Sequence, residues 1–453
     1  MAFTRHISKY LQDWKESRNR KPLVLRGARQ VGKTTIIGQF AKSYKHSIAL
    51  NLEKPAHIFF FDNYNDVKTI VDALLLSHKI PSNNLKNTIL FIDEIQESPK
   101  AIHLLRFFHE EIPELHVVAA GSLLEFAMRH IRGFPVGRIE FLQLYPLNFS
   151  EYLDAIDHSA ALEQLGQIPV NLFAHNILLE LFNRYAIIGG MPEVIKVYLQ
   201  NNSISDLPKI YESIWGAYKN DVEKYTDNEL ERKVIKHIMA SAHLYVDQRI
   251  KFQNFGNSNY RSREVGEAMR HLDDARIIQL IYPTTNVTIP IRPDLRKSPK
   301  LQLLDTGLLN HTLEIQSQLL ALNDLDNAYK GAIIPHLITQ ELMSLNTISH
   351  KKPAFWVREK KQASAEVDIA FSYDGKIIPI EIKSGSTGSL KSLHQFIEQS
   401  EHPYAIRIYA GEFKIEKAKT PGRFPYLLMN LPYYLSTKLP QYIEYFLNEY
   451  KFK

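Results

Sequence analysis

The sequence predicts an α/β protein: a parallel sheet covered on both faces in its first third, then a helical stretch, then a return to strands. Three observations carry this. Short apolar strands alternate with helical segments between residues 23 and 120, helical apolar spacing runs from 149 to 225, and alternating or continuous apolar strands reappear from 354 to 382. Strand–helix alternation makes neighbouring strands parallel and buries both faces of their sheet.

In order, a strand is expected over 23–25, a helix over 35–44, a strand over 48–52 and helical spacing over 70–76, closed by Pro81. ILFI at 89–92 and VVAA at 117–120 read as buried strands, with a helix around 102–109 between them. Helices follow over 149–165, 172–185 and 205–225, with the IIGGMP turn at 187–192 among them. Two further helices, 229–244 and 263–276, and a strand at 277–282 give the order of a winged helix-turn-helix. A helix over 332–345 precedes strands at 354–357, 366–371 and 377–382. Asp374-Gly375 marks a hairpin between the last two, and a helix follows over 389–399. The expected division is 1–147, 148–226, 227–285 and 286–453.

Composition narrows the chemistry. The 453 residues include 55 Lys+Arg against 49 Asp+Glu, a formal charge of +6, and no cysteine. That excludes disulfide frameworks, zinc ribbons, iron–sulfur clusters and cysteine nucleophiles. Hydrophobic residues at 45% and charged residues at 23% exclude global disorder. No apolar run reaches the ~18 residues of a membrane span, and residues 1–10 lack the apolar core of a signal peptide. A cytoplasmic protein without membrane contact is the expectation. The basic balance leans weakly toward an anionic partner such as nucleic acid.

Gly27-Ala28-Arg29-Gln30-Val31-Gly32-Lys33-Thr34 follows the pattern G-x-x-x-x-G-K-[ST], with Thr35 next. Glycines at 27 and 32 let the backbone wrap close to phosphates, so that successive N–H groups and a helix N-terminus face the anion. Lys33 is expected to reach the β- and γ-phosphates of ATP, and Thr34 to ligate Mg²⁺. Asp93 and Glu94 end the strand at 89–92. Asp93 is expected in the Mg²⁺ shell and Glu94 to polarise the attacking water. Adjacent strand residues face opposite ways, so the two carboxylates hold separate posts only where the strand ends. Ser122 ends the strand at 116–121. It is placed to touch the γ-phosphate or water, to cap a helix at 123–130, or both. Arg138, with Arg132 as its rival, is the arginine expected to offer charge to a γ-phosphate, including that of a neighbouring subunit.

Taken together, GARQVGKTT, LFIDEIQ, the AGS strand end, the GR before LYPLNFSEYL, and IIGGMPEVI resemble a family of AAA-type P-loop ATPases of bacteria and archaea. Further similarity lies in IYESIWGAYKNDVEKYT, LQLLDTGLL, GAIIPHLITQEL, AEVDIAF and IPIEIKSG, so it spans nearly the whole chain. The glycine–proline turn and DTGL suggest no chemistry. The resemblance implies an ATPase core, a helical lid, a winged-helix segment and a C-terminal domain shaped like a restriction endonuclease.

For that last domain, Asp368 and Glu381 sit on two strands of a hairpin and can share one face with Lys383. This is the PD-(D/E)XK arrangement, in which the acids hold a second Mg²⁺ or Mn²⁺ and the lysine activates water against a phosphodiester. Such nucleases add a helix glutamate, placed in this family four residues after the helix-opening glycine. Counting from Gly331 lands on Pro335, which has no ligand atom. Glu341 substitutes only if the helix is rotated or shifted. Basic segments at 292–300, 351–361 and 414–423, with Arg261, Arg263 and Arg270, are the candidate phosphate contacts. The expected function is Mg²⁺-dependent ATP hydrolysis driving a DNA-facing C-terminal half, with shared sites between copies of the chain. The alternatives are an ATP-gated DNA endonuclease and a non-cleaving switch that binds DNA or protein.

Overall fold

In the computed structural model the described residues are 3–122, 124, 137–226, 228–316, 330–360, 363–383 and 390–451. The chain forms two compact units. The first comprises residues 1–145, 274–277 and 346–350, and the second comprises 146–273, 278–345 and 351–453.

The first unit is built on five strands: β1 (Leu23–Arg26), β2 (His46–Asn51), β3 (Thr88–Asp93), β4 (His116–Ala120) and β5 (Glu140–Gln143). Their order is β2-β3-β4-β1-β5, and every pairing is parallel. The parallel sheet expected from the sequence is present. β3 is buried at every position, as a central strand covered on both faces must be. The helix Val67–Ser77 shows why this segment folds as it does. Its buried Val67, Ile70, Val71, Leu74 and Leu75 fall at helical spacing on one face. Asp66 caps it by accepting the Thr69 N–H at 2.8 Å. The helices Ile7–Glu16 and Pro55–Asn63, the second apolar without a face, lie outside the sequence expectation, as does β5, whose EFLQ has no apolar run. On the side of β5 away from β1, Gln143 N–H donates to Thr347 O at 2.7 Å.

The second unit opens with short helices. The expected helix over 149–165 is two, Phe149–Ala155 and Ser159–Leu165, because Asp157 takes a left-handed φ of 57° between them. After His175–Ile188, Pro192–Asn201, Pro208–Tyr225, Glu229–Ser241 and Ser262–Asp274 come β6 (Ile278–Ile281), β7 (Pro283–Thr284) and β8 (Lys300–Leu303). β6 pairs antiparallel with β8, which lies beyond residue 285, while β7 joins a larger sheet. That sheet adds β9 (Ala354–Lys360), β10 (Ala363–Tyr373), β11 (Lys376–Ile382), β12 (Tyr404–Tyr409), β13 (Lys414–Lys419) and β14 (Pro425–Pro432), in the order β13-β14-β12-β11-β10-β9-β7. The turn between β10 and β11 is the expected Asp374-Gly375, both at positive φ (41° and 72°). Among the described residues no helix is long and apolar enough to cross a membrane.

The two motifs without assignable chemistry interlock. Gly189 ends the helix His175–Ile188 at φ 78°, ψ −173°, a conformation only glycine adopts freely. Asp305 is fully buried, caps the helix Thr306–Thr312 through the Leu308 N–H at 3.1 Å, and accepts the Gly190 N–H at 2.6 Å. Burial pushes its carboxyl up to about 6 against those N–H bonds. A Cβ on Gly307 would meet Ile188 O at 2.0 Å, so the two turns touch backbone to backbone. Replacing Gly307 with Ala should therefore cost about 2–4 kcal/mol. The check is a denaturant melt, and an unchanged midpoint would remove this account of the two motifs.

Candidate functional site

The phosphate loop follows directly from β1. Gly27 has φ 154°, and a Cβ there would lie 2.3 Å from Leu144 O, so the chain passes too close to the residue after β5 for any side chain. Gln30 (φ 62°) and Gly32 (φ 99°) turn the loop, and the helix Lys33–Ala41 begins at once. Its first N–H groups have no acceptor within the helix, which leaves them available to an anion. Thr34 and Thr35 are exposed, Ala28 and Val31 are buried, and Arg29 is half-buried.

Lys33 is 7% exposed, and its Nζ donates to Gly27 O at 3.0 Å and Ala28 O at 2.8 Å. Burial pulls its pKa down to about 8, against the pull of Glu94 and Asp93. This gives a pH signature. An anion in the loop favours the charged amine, so binding above pH 8 must take up the proton that Lys33 has lost. Affinity for ADP should fall by up to about tenfold per pH unit above that value. Titration calorimetry in buffers of different ionisation heat should show proton uptake at pH 8.5 only. Equal uptake at pH 6.5 would point to another group.

Thr34 Oγ1 donates to Asp93 Oδ2 at 2.7 Å, from the first turn of the helix Lys33–Ala41 to the end of β3. Asp93 is 6% exposed, its carboxyl is raised by burial, and its Oδ1 accepts the Glu94 N–H at 3.1 Å. A hydroxyl and a buried carboxylate already converging are a hard oxygen donor pair, which suits Mg²⁺. The strand ends at Asp93, and Glu94 takes φ 50°, ψ 47°, so the adjacent carboxylates leave the strand in different directions. Glu94 Oε2 accepts Gln96 Nε2 at 2.7 Å. Behind that amide is Gly121, where a Cβ would lie 2.2 Å from Gln96 Oε1.

Ser122 follows β4, and β4 stands between β3 and β1 in the sheet. Its half-exposed side chain therefore leaves the sheet between the two motif-bearing strands. The strand inserted between the motifs in space is β4, whereas the one between them in sequence, β2, lies at the sheet edge. The helix that Ser122 is expected to cap, and Arg132, fall outside the described residues.

Arg138 lies away from the phosphate loop of its own chain. β5 runs parallel to β1 with Glu140 opposite Leu23 and Gln143 opposite Arg26, so the loop extends from one edge of the sheet and Arg138 precedes the other. The strands separate the two edges by about 10–13 Å. Arg138 pairs there through Nε with Glu110 Oε1 at 2.9 Å, near the end of the helix Pro99–Glu111, and is 56% exposed. It does not join the cluster formed by its own chain's loop.

Two contributors are not among the site residues expected from the sequence. Arg5 is buried and donates to Val31 O at 3.2 Å and Tyr145 O at 2.6 Å, tying the loop to the chain leaving β5. Gln96 positions Glu94; it stands within LFIDEIQ, but only the fold shows its contact.

In the second unit, β10 and β11 pair with Ile369 opposite Ile380, which puts Asp368 and Glu381 on the next rung. Asp368 Oδ2 accepts the Ile382 N–H at 2.8 Å, and Lys383 Nζ donates to Glu381 Oε1 at 2.7 Å. The expected trio is thus brought together. Its expected metal is not matched by the surroundings: Lys300 Nζ lies 3.5 Å from Asp368 Oδ1, 3.0 Å from Glu366 Oε1 and 3.6 Å from Asp247 Oδ2. Among the described residues no three His, Asp or Glu side chains are grouped to hold a metal ion. Pro335 lies inside the helix Lys330–Ser344. Glu341 does not substitute. It is buried against the Tyr185 hydroxyl at 2.7 Å and the Phe149 N–H at 3.0 Å, with its carboxyl pushed up to about 8 by burial.

A parallel β2-β3-β4-β1-β5 sheet with a glycine-turned phosphate loop after β1 and paired carboxylates after β3 defines a P-loop nucleotide-binding core. Residues 19–153 match the family described as an AAA domain. Residues 179–319 match a domain of unknown function (DUF8612), and residues 330–429 match another (DUF4143). The AAA-domain match thus covers the N-terminal third of the chain, where the phosphate loop and the carboxylate pair lie. No curated protein matches the sequence. Among solved structures, the chain is similar to the Walker-type ATPase PABY2304 of Pyrococcus abyssi, with 14% identity and a TM-score of 0.44 over 69% of this chain and 96% of that one. It is also similar to the S. cerevisiae Hsp104–ADP complex, with 12% identity and a TM-score of 0.29 over 61% of this chain and 40% of that one.

Proposed function

We propose that this chain is a Mg²⁺-dependent ATPase whose nucleotide cycle drives its C-terminal half. The observation that carries the reading is the convergence of Lys33, Thr34, Asp93 and Glu94 at one edge of a parallel sheet, with Thr34 and Asp93 bonded at 2.7 Å. In this reading the loop N–H groups from Gly27 to Thr35 cradle the phosphates, and Lys33 gives up its two carbonyl partners for phosphate oxygens. Thr34 and Asp93 would hold the Mg²⁺, which would supply positive charge to the bound phosphates. Glu94, oriented by Gln96, draws a proton from the attacking water, and Ser122 touches that water or the γ-phosphate. The test is phosphate release from ATP by the full chain in Mg²⁺ and in EDTA; release undiminished in EDTA contradicts the metal's role.

Arg138 acts, in this proposal, on the site of a neighbouring copy, since it precedes the sheet edge opposite its own loop. Specific activity that is constant on dilution through dissociation of any oligomer would contradict sharing.

DNA is the proposed partner of the second unit. Support comes from the two helices followed by β6 and β8, and from the exposed Arg261, Arg263, Arg270, Lys414, Lys417, Lys419 and Arg423. Against it, much of the basic segment at 292–300 is already neutralised: Arg296 pairs with Asp294, Lys297 with Glu359, and Lys300 with three acids. The proposal is therefore of binding that weakens steeply with salt.

A further inference from the structure

The PD-(D/E)XK-like trio invites a metal, and the surrounding groups argue for a different occupant. Lys300 is 5% exposed, extends from β8, and reaches carboxylates from three places in the chain: Asp247, and Glu366 and Asp368 on β10. Burial alone would lower its pKa, and the attraction of Asp247, Asp368 and Glu366 more than reverses that. Two of the three acids have further support. Asp247 Oδ1 accepts Gln302 Nε2 at 2.8 Å, and Asp368 Oδ2 accepts the Ile382 N–H. Beside them Glu381 is 7% exposed and bonded to Lys383 through Oε1, while its Oε2 is buried without a hydrogen-bond partner. Burial and Asp368 both raise its carboxyl. A buried carboxylate oxygen without a hydrogen-bond partner, beside Asp368, adds to the negative charge that Lys300 faces.

We propose that Lys300 is the resident cation of this cluster: its ammonium stands where a nuclease would hold a divalent metal, and it locks β8 to β10. The carboxylates thereby share a counter-charge from within the chain, and the site joins two sheets instead of cutting a phosphodiester. A divalent ion entering it must displace a desolvated ammonium held by three acids. Removing that ammonium while keeping its apolar stem, as in Lys300→Met, leaves the acids without their counter-ion and opens the position to a metal.

The test is Mn²⁺ binding to the nucleotide-free full chain, read from the EPR signal of free Mn²⁺. Every arm carries Asp93→Asn, which removes the nucleotide-associated metal position and separates this inference from the ATPase reading. The expected results are that Lys300→Met gains one Mn²⁺ per chain, bound more than about tenfold tighter than any ion in the Lys300 protein, and that adding Asp368→Asn abolishes the gain. A Lys300 protein that binds Mn²⁺ and loses it on Asp368→Asn alone would overturn the proposal. That arm decides the matter even if Lys300→Met does not fold, because unchanged Mn²⁺ binding on Asp368→Asn is the result expected here. Mn²⁺-dependent nicking of supercoiled plasmid by the Lys300 protein, lost in Asp368→Asn, would overturn it equally.

Discussion

Replacing Glu94 with Gln is expected to leave ATP bound and lower its turnover by about 10²–10⁴-fold, the contribution of a positioned general base. The substitution is close to isosteric. A glutamine at 94 keeps an oxygen for the Gln96 amide, which now donates to Glu94 Oε2 at 2.7 Å, so the backbone turn at φ 50° and the loop behind it are undisturbed. What is lost is the capacity to take a proton from water. Binding by the loop, Lys33 and Thr34 remains, so the fall appears in kcat and ATP is retained on the protein. Filter retention of labelled ATP, with phosphate release measured in parallel, checks both halves. Turnover within about threefold of the parent would mean that another residue is the base.

Replacing Lys33 with Ala is expected to remove turnover to background, a loss of about 10²–10³-fold or more. Two effects add. The ammonium that would neutralise the β- and γ-phosphates is gone, and the carbonyls of Gly27 and Ala28, which it caps at 3.0 and 2.8 Å, lose their donor. The second effect costs about 1–3 kcal/mol of local stability, so a melt must accompany the assay. A folded variant that still hydrolyses ATP would refute the assignment of the loop. The two substitutions differ in signature: Lys33→Ala weakens binding and chemistry together, Glu94→Gln mainly chemistry.

The phosphate loop and the carboxylate pair were legible because each is contiguous in sequence and its spacing is dictated by one turn of backbone. The strand end at Asp93 could be placed because ILFI is an uninterrupted apolar run. What could not be read depends on partners far along the chain. Arg5 meets Tyr145 across 140 residues, and Lys300 meets Asp368 across 68. Neither has a periodic or local signal. Arg138 was identified by type, but the edge of the sheet it precedes depends on β5, and EFLQ is too short and polar to announce a strand. The interlock of Asp305 with Gly189, Gly190 and Gly307 was visible only as two unexplained motifs, because a close backbone approach leaves no pattern beyond the glycines themselves. The C-terminal carboxylates illustrate the converse: hairpin alternation put Asp368 and Glu381 on one face, and the register sets them opposite each other, yet local alternation carries no information about the lysine arriving from β8.

The most direct test of the central claim is steady-state phosphate release from ATP by the purified full chain, compared with Lys33→Ala in Mg²⁺ and with the parent in EDTA. The expected result is turnover by the parent in Mg²⁺ and background in the other two. Equal release by the parent and a folded Lys33→Ala, or none from the parent at any protein concentration, would contradict the account.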